Sequence, residues 1–184
     1  MPDKRIHAKK IAVCAVLAVF AAVTGILEGM LPLNFVLPVP GVRLGLANVF
    51  VMGAYLLYGA GYAAAVSLAR MTLIFLFTGN ATALFLSFSG GCFAFAGLCL
   101  MMRFYEKNCT MIGVSSVSSA LHGAGQLAAA YWVVGAPVIW YLPPLCALSA
   151  LTGIFTGTLM NRIAARLSAH LHYPSAKRER NITR

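Results

Sequence analysis

The sequence predicts an all-α membrane protein with six transmembrane helices, and three observations support that fold class. Of the 184 residues, 60% are hydrophobic, and the mean hydropathy is +0.83. Only four residues are acidic. The apolar stretches are apolar on every side, whereas a membrane β-barrel would alternate polar and apolar residues in short segments. A soluble domain of this size does not bury so much apolar surface, so we expect the chain to lie in a membrane.

Six apolar stretches approach the length of about 20 residues that a helix needs to cross a bilayer. They lie near residues 11–31, 44–59, 61–78, 83–102, 111–134 and 142–165, and the second and third are short. The first could be a secretory signal peptide, but its apolar part is about 20 residues long and no clear small-x-small cleavage site follows. We therefore predict a retained first helix, a single transmembrane domain over residues 1–172, and a polar cytoplasmic tail over residues 173–184.

The net charge of +10 is distributed as a topology signal rather than as a nucleic-acid-binding patch. Basic residues cluster before the first predicted helix, between the fourth and the fifth, and after the sixth. With six helices, all three clusters fall on one face, and the positive-inside rule makes that face cytoplasmic. The sequence thus predicts a multi-pass protein of the cell membrane with both termini in the cytoplasm and no nucleic-acid partner.

The longest external connection covers residues 28–43, EGMLPLNFVLPVPGVR. Its three prolines prevent a regular helix, and its many apolar side chains are unsuited to free exposure in water. We predict that this loop folds back over the outer mouth of the helix bundle. A loop lying in the lipid interface fits the composition equally well.

Polar side chains inside apolar helices are costly, so they mark candidate functional positions. Arg70 lies within the third helix, and its alternative role is a structural ion pair with Glu28. His122 and Gln126 are four residues apart and share one face of the fifth helix, where they could also simply bridge helices. In the predicted topology the polar groups collect in the outer half of the bundle, beneath the long loop. The candidate substrate-binding residues are Glu28, Arg43, Asn48, Arg70, Asn80, His122 and Gln126.

Motifs for catalysis, metal binding and ATP hydrolysis are missing from the sequence. There is no HExxH, no nucleophile elbow and no pair of acids suited to general acid and base catalysis. The five cysteines are scattered without a CxxC pair, so we expect them to pack as small apolar residues rather than to bind a metal. No GxxxxGK[ST] motif is present, so ATP-driven transport would require another subunit. We predict neither an enzyme nor a cofactor.

Small residues recur at the four-residue spacing that lets membrane helices approach closely. Gly153 and Gly157 in the sixth helix are one such pair and are expected to pack inside the bundle. The first helix carries a longer alanine series, which could instead form a smooth face for another protein. That series consists of Ala8, Ala12, Ala15, Ala18 and Ala22.

Five segments of the chain resemble the Gx transporter family, whose members are often labelled heptaprenyl diphosphate synthase component I. They are PVPGVRLGLANVF, SLARMTLIFLFTG, SFSGGCFAFAGLCLMM, IGVSSVSSALHGAGQLAAA and TGIFTG. The RLGLAN segment and the S-x-x-H-x-x-x-Q pattern are the most specific. Family proteins commonly have Asn after this histidine, where the present chain has Gly123.

The family is in turn similar to the substrate-binding S components of energy-coupling-factor vitamin transporters. That similarity implies six helices, cytoplasmic termini and an outward-facing pocket beneath the loop between the first two helices. It also implies that the alanine-rich surface of the first helix, here Ala15, Ala18 and Ala22, docks on a transmembrane coupling subunit driven by two ATPases.

The synthase label is at odds with the chain's acidic residues. Prenyl chain elongation needs two aspartate-rich motifs that hold Mg²⁺ against diphosphate, and the only aspartate here is Asp3. Three hypotheses follow: a transporter subunit that captures a vitamin-, flavin- or isoprenoid/quinone-related compound, a non-catalytic membrane component associated with heptaprenyl diphosphate or menaquinone biosynthesis, and a scaffold without a ligand. In the first two, Arg43 and Arg70 could neutralise an anionic group.

Overall fold

The structure, a computed structural model, describes residues 2–31, 42–105 and 109–171, with side-chain surroundings for residues 5–31, 42–105 and 109–166. These residues form six α-helices and one 3₁₀ helix: α1 (Pro2–Met30), α2 (Asn48–Tyr58), α3 (Ala60–Thr78), α4 (Ala81–Tyr105), α5 (Met111–Val134), the 3₁₀ helix (Ala136–Tyr141) and α6 (Leu142–Leu171). Most of the predicted covering loop and the whole predicted tail lie outside the described residues.

Four of these helical segments are long and apolar enough to cross a membrane, namely Arg5–Met30, Ala60–Thr78, Ala81–Tyr105 and Ala136–Arg166. The helix α2 has 11 residues, so it is only about 16 Å long at 1.5 Å per residue. The helix α5 has 24 residues, but its serines, His122 and Gln126 lower its hydropathy. The all-α membrane class is therefore confirmed, whereas the described residues contain four full-length apolar spans rather than six.

Short connections turn the chain back at both ends of the bundle. Gly59 alone separates α2 from α3, and its φ of 88° is strained for residues with a Cβ. Between α3 and α4, Gly79 ends one helix in the left-handed conformation, and the Asn80 side chain begins the next by accepting a hydrogen bond from the Ala83 N–H at 2.9 Å. These turns make α2, α3 and α4 consecutive antiparallel neighbours.

Glycines bring the backbones of α4, α5 and α6 into contact. A Cβ on Gly153 would lie 2.5 Å from the Ser116 Cα, and a Cβ on Gly157 would lie 2.7 Å from the Ile112 Cα. No side chain fits into such spaces, so α6 is held directly against α5. This confirms the packing role predicted for Gly153 and Gly157. On the other side of the bundle, α1 and α2 pack on α3.

Aromatic side chains mark the two ends of the bundle. Trp132 and Trp140, near the junction of α5 and the 3₁₀ helix, are 83% and 84% exposed. At the opposite end, the Lys10 Nζ lies 6.0 Å from the ring centroids of both Tyr58 and Tyr62. Tryptophan, tyrosine and lysine typically lie at the two membrane–water interfaces, with apolar side chains exposed to lipid between them. We call these ends the Trp132 end and the Lys10 end.

The alanine series of α1 divides between the core and the surface. Ala18 and Ala22 are only 3% and 4% exposed and pack inside the bundle, whereas Ala12 and Ala15 are exposed. The expectation that the whole series offers one docking face is corrected here. Small side chains at Ala18 and Ala22 serve close packing within the chain, and the exposed part of the series consists of Ala8, Ala12 and Ala15.

Candidate ligand-binding site

Residues 42–47 enter the bundle without helical structure and lead directly into α2. Five of these six residues are buried, and Gly45 has a φ of 87°. Non-helical backbone at membrane depth is tolerated only where protein groups satisfy its N–H and C=O groups. The contacts of this segment, which we call the 42–47 segment, therefore explain several of the buried polar side chains.

Side chains from three helices hold the backbone of the 42–47 segment. The Glu28 carboxylate accepts from the N–H groups of Gly45 at 3.1 Å and Ala47 at 3.0 Å. From α5, the Gln126 Oε1 accepts from the Arg43 N–H at 3.2 Å. From α6, the Thr152 Oγ1 donates to the Leu44 carbonyl at 2.9 Å. Glu28 and Gln126 thus bind backbone in this structure, which gives both residues a structural role.

Two buried arginines adjoin this network. Arg70 in α3 and Arg43 in the segment are 4% and 7% exposed, and both interact electrostatically with Glu28. The two oxygens of Glu28 already accept backbone hydrogen bonds, and the Nε atoms of both arginines have no hydrogen-bond partner among the described residues. Two guanidinium groups therefore face one carboxylate, which leaves one positive charge of the buried cluster without a counter-charge among the described residues.

His122 completes the cluster from α5. Its ring is 2% exposed, and its Nδ1 has no hydrogen-bond partner in the described part of the chain. The ring fits because two neighbours lack a Cβ. A Cβ on Gly45 would lie 3.3 Å from the ring Cδ2, and a Cβ on Gly90 would lie 3.0 Å from the ring Cε1.

Two cavities lie among these polar groups. The first, which we call the arginine cavity, has polar lining from Glu28, Arg43, Arg70, Ser87 and His122. The second, the serine cavity, has polar lining from Asn48, Ser67, Ser115, Ser118 and Ser119. Each measures about 10 Å³, which is space for about one water molecule.

The structure brings together most of the predicted site residues. Glu28, Arg43, Arg70 and His122 surround the arginine cavity, Gln126 bonds the backbone next to it, and Asn48 lines the serine cavity.

Asn80 is an exception and a correction to the predicted site. It is exposed at the turn between α3 and α4, where its side chain caps α4 through the bond to the Ala83 N–H. Asparagine is among the residues most favoured at helix starts, and this local role accounts for its position.

Sequence reasoning missed Ser87, Thr152 and Thr156. Ser87 lines the arginine cavity, Thr152 holds the 42–47 segment, and the Thr156 hydroxyl lies 2.7 Å from the Ser115 hydroxyl. The available signal was the TGIFTG run, in which Thr152 and Thr156 are four residues apart beside the two packing glycines. That spacing places both hydroxyls on the face of α6 that contacts α5.

All five cysteines are free, and the described residues contain no group of three or more His, Cys, Asp or Glu side chains arranged to hold a metal ion. The polar groups of the site are instead donors suited to an anion: two guanidinium groups, an imidazole and serine hydroxyls.

The fold and the site together define a helical membrane protein with a buried polar cluster that contains two arginines. The family model described as heptaprenyl diphosphate synthase component I matches residues 17–163, a range that contains every residue of the site. The chain belongs to that family. Comparison with curated proteins and with solved structures gives no match.

Proposed function

We propose that the protein is the substrate-binding subunit of a small-molecule transporter, similar to the S components of energy-coupling-factor systems. It captures a vitamin-, flavin- or isoprenoid/quinone-related compound from outside the cell. The observation that carries the proposal is the arginine cavity, where Arg43 and Arg70 face a single carboxylate that is already bound to backbone. The compound therefore carries an anionic group.

The cost of burying charge supports a ligand at this position. Insertion scales put an arginine at the centre of a membrane helix at about +2.5 to +3.5 kcal/mol. A cluster with one uncompensated guanidinium retains much of that cost, and an anion in the cavity would offset it by pairing with Arg43 or Arg70. A purely structural cluster has no need of a second arginine.

The charge distribution supports an outward-facing site. Arg5, Lys9, Lys10 and Arg103 all lie toward the Lys10 end, which the positive-inside rule makes cytoplasmic. Glu28 and Arg43 lie toward the opposite end, so the cavity would be loaded from outside. In this topology the chain crosses the membrane six times. The second crossing consists of the 42–47 segment followed by the short α2, and the polar α5 crosses beside its apolar neighbours.

The proposal requires partner subunits, because the sequence contains no ATP-binding motif. A transmembrane coupling subunit with ATPases would supply the energy, and the exposed Ala12 and Ala15 on α1 offer a smooth surface for its docking. The subunit itself is non-catalytic in this proposal, since its only aspartate is Asp3 and no aspartate-rich motif is available to hold Mg²⁺ against diphosphate.

A second candidate function is favoured by the family description. The protein would be a non-catalytic membrane component associated with heptaprenyl diphosphate or menaquinone biosynthesis. Its two arginines would then bind the anionic group of a prenyl compound rather than of a transported solute. This candidate requires a lipid-facing cleft for the prenyl chain and a soluble synthase as partner.

Native mass spectrometry of the protein, purified gently from its own membranes, tests the two candidates against each other. A co-purifying coupling subunit, or a bound small anionic compound, is the outcome expected for a transporter subunit. A bound polyprenyl lipid or a co-purifying prenyl synthase would overturn the transporter proposal in favour of the second candidate. A protein that carries neither ligand nor partner would support the scaffold hypothesis.

A further inference from the structure

The two cavities are stacked along the bundle axis. Four parts of the chain each contribute one residue to the serine cavity and another to the arginine cavity, three or four positions apart in sequence. Three or four residues are about one helical turn, roughly 5.4 Å along a helix. The pairs are Ser67 and Arg70 in α3, Gly91 and Ser87 in α4, Ser119 and His122 in α5, and Asn48 and Gly45 at the start of α2.

One side chain lies between the cavities. Met71 lines the arginine cavity, whereas Gly91 and Ser67 line the serine cavity. The Met71 methyl group occupies the space that a Cβ on Gly91 would fill, and its sulfur lies 3.5 Å from that point. Methionine is unbranched and flexible, so this thioether can leave the gap beside Gly91 by changing rotamer.

Both cavities contain buried polar atoms that have no hydrogen-bond partner in the described residues. They are the Nε atoms of Arg43 and Arg70, Ser87 Oγ and His122 Nδ1 beside the arginine cavity, and Asn48 Nδ2 and Ser119 Oγ beside the serine cavity. Buried polar atoms in native proteins are nearly always paired with protein, water or ligand. Unpaired atoms on both sides of Met71 indicate that whatever binds here reaches both cavities.

We propose that the arginine cavity and the serine cavity are two halves of one ligand site divided by the side chain of Met71. The site takes a compact compound with an anionic group at one end and a neutral hydrogen-bonding group about one helical turn away. This inference rests on the proposed function in assuming a ligand, and it narrows the ligand's class. The anionic end pairs with Arg43 and Arg70, and the neutral end bonds Asn48 and Ser119.

The lining of the serine cavity disfavours a polyprenyl chain in this site. Asn48 Nδ2 and Ser119 Oγ have no hydrogen-bond partner among the described residues, and an alkene chain would leave both unpaired. The same groups can donate to and accept from a hydroxyl, amide or carbonyl group of a polar ligand.

Cysteine labelling tests the connection between the cavities. In full-length protein in lipid nanodiscs, with the five native cysteines replaced by alanine, Ser119→Cys places a thiol in the serine cavity. The probe is sulfonatoethyl methanethiosulfonate, which joins a sulfonate to the reacting sulfur through a two-carbon chain. It therefore resembles the proposed ligand, because a disulfide at position 119 leaves the sulfonate near Arg70. Trimethylammonioethyl methanethiosulfonate is the cationic probe of matched length.

Three expected results together support the proposal. Met71→Ala removes most of the side chain that separates the cavities and accelerates labelling of Ser119→Cys by the anionic probe. That rate exceeds the rate for the cationic probe about tenfold or more, because electrostatic focusing by the two arginines favours the anion. Met71→Leu keeps a side chain of similar volume between the two cavities. It therefore leaves the labelling rate of Ser119→Cys near the rate measured with Met71 present. Adding Arg70→Gln to Met71→Ala removes the preference for the anionic over the cationic probe. Lys9→Cys, at an exposed site, labels equally in all backgrounds and is the control for reagent activity and protein amount.

Equal labelling of Ser119→Cys with Met71 and with Met71→Ala, or equal rates for the two probes, would overturn the proposal and leave two separate cavities that hold only water. This outcome is distinct from failure of the transporter proposal. If a small anion co-purifies but Met71→Ala changes nothing, only the joined site is wrong. If labelling behaves as expected but native mass spectrometry finds a prenyl synthase, only the transporter role is wrong.

Discussion

Arg70 is the residue on which the account of the site depends most. It is 4% exposed within α3, and the nearest acid that interacts with it, Glu28, gives both its oxygens to backbone N–H groups. The sequence left two roles open for Arg70, a structural ion pair and a ligand contact. The two roles predict opposite effects on stability when the charge is removed.

We expect Arg70→Met to leave the free energy of unfolding of the ligand-free protein unchanged, or to raise it by up to about 2 kcal/mol, because it removes an uncompensated buried charge and keeps an apolar side chain of similar length. Thermal unfolding in detergent measures this effect. Arg103→Met, at an exposed position near the end of α4, is the control and should change the free energy by less than about 0.5 kcal/mol.

A loss of about 3 to 5 kcal/mol in Arg70→Met would contradict this expectation. Losses of that size are typical when one partner of a buried ion pair is removed. Arg70 would then serve primarily as the counter-charge of Glu28.

Residue-level prediction from the sequence is most informative where a polar group is rare. A charged or imidazole side chain in an apolar helix has few ordinary explanations, and the structure places Glu28, Arg43, Arg70 and His122 around one cavity. Asparagine at a helix start is ordinary, so Asn80 was a false candidate. A membrane-helix threonine usually bonds within its own helix, and the Thr152 hydroxyl also lies 2.8 Å from the Ser149 carbonyl. The sharing of its single proton with the Leu44 carbonyl therefore left no sequence signal.

At the scale of elements, the 42–47 segment is the most unusual part of the described fold. Its backbone lies inside the bundle, and helices α1, α5 and α6 each supply a side chain that bonds it. The sequence predicted a helix from residue 44, whereas α2 begins at Asn48. The difference arises because Gly45, at φ 87°, and the surrounding hydrogen bonds stabilise a non-helical entry that hydropathy does not reveal.

Removing one of these bonds should weaken the attachment of the segment. Thr152→Val leaves the Leu44 carbonyl without its hydroxyl donor, and we expect the free energy of unfolding to fall by about 1 kcal/mol, within the range measured for hydrogen bonds between membrane helices. Thr72→Val is the matched control, because the Thr72 hydroxyl is exposed and bonds only to the Leu68 carbonyl of its own helix. Equal effects of the two substitutions on the denaturation midpoint would show that the bond to Leu44 contributes nothing specific.

At the scale of the whole molecule, the charge distribution of the chain makes a definite prediction about orientation. Lys9 and Arg103 are exposed toward the Lys10 end, and Ala136 is exposed at the Trp132 end. In a cysteine-free background, Lys9→Cys and Arg103→Cys should react with a membrane-impermeant maleimide only after the cells are permeabilised. Ala136→Cys should react in intact cells. Labelling of Arg103→Cys in intact cells would reverse the orientation and with it the direction from which the site is loaded.

The fold class was predictable from the whole sequence because hydropathy and the lack of alternation are averaged over many residues. Which helix faces pack inside the bundle was less predictable, because this depends on which helices contact each other in three dimensions. The alanines of α1 have helix-packing spacing whether they contact their own bundle or another protein, and only the three-dimensional packing shows that Ala18 and Ala22 are internal.

The most direct test of the central claim, that the buried arginine cluster binds an anionic compound, is to measure what the protein carries. Equal amounts of wild-type, Arg70→Met and Arg103→Met protein, purified identically from their own membranes, are denatured, and the released small molecules are quantified by mass spectrometry. We predict one anionic compound in comparable amounts from wild type and Arg103→Met, and its loss from Arg70→Met. Equal amounts of that compound from all three proteins, or no anionic compound from wild type, would contradict the claim.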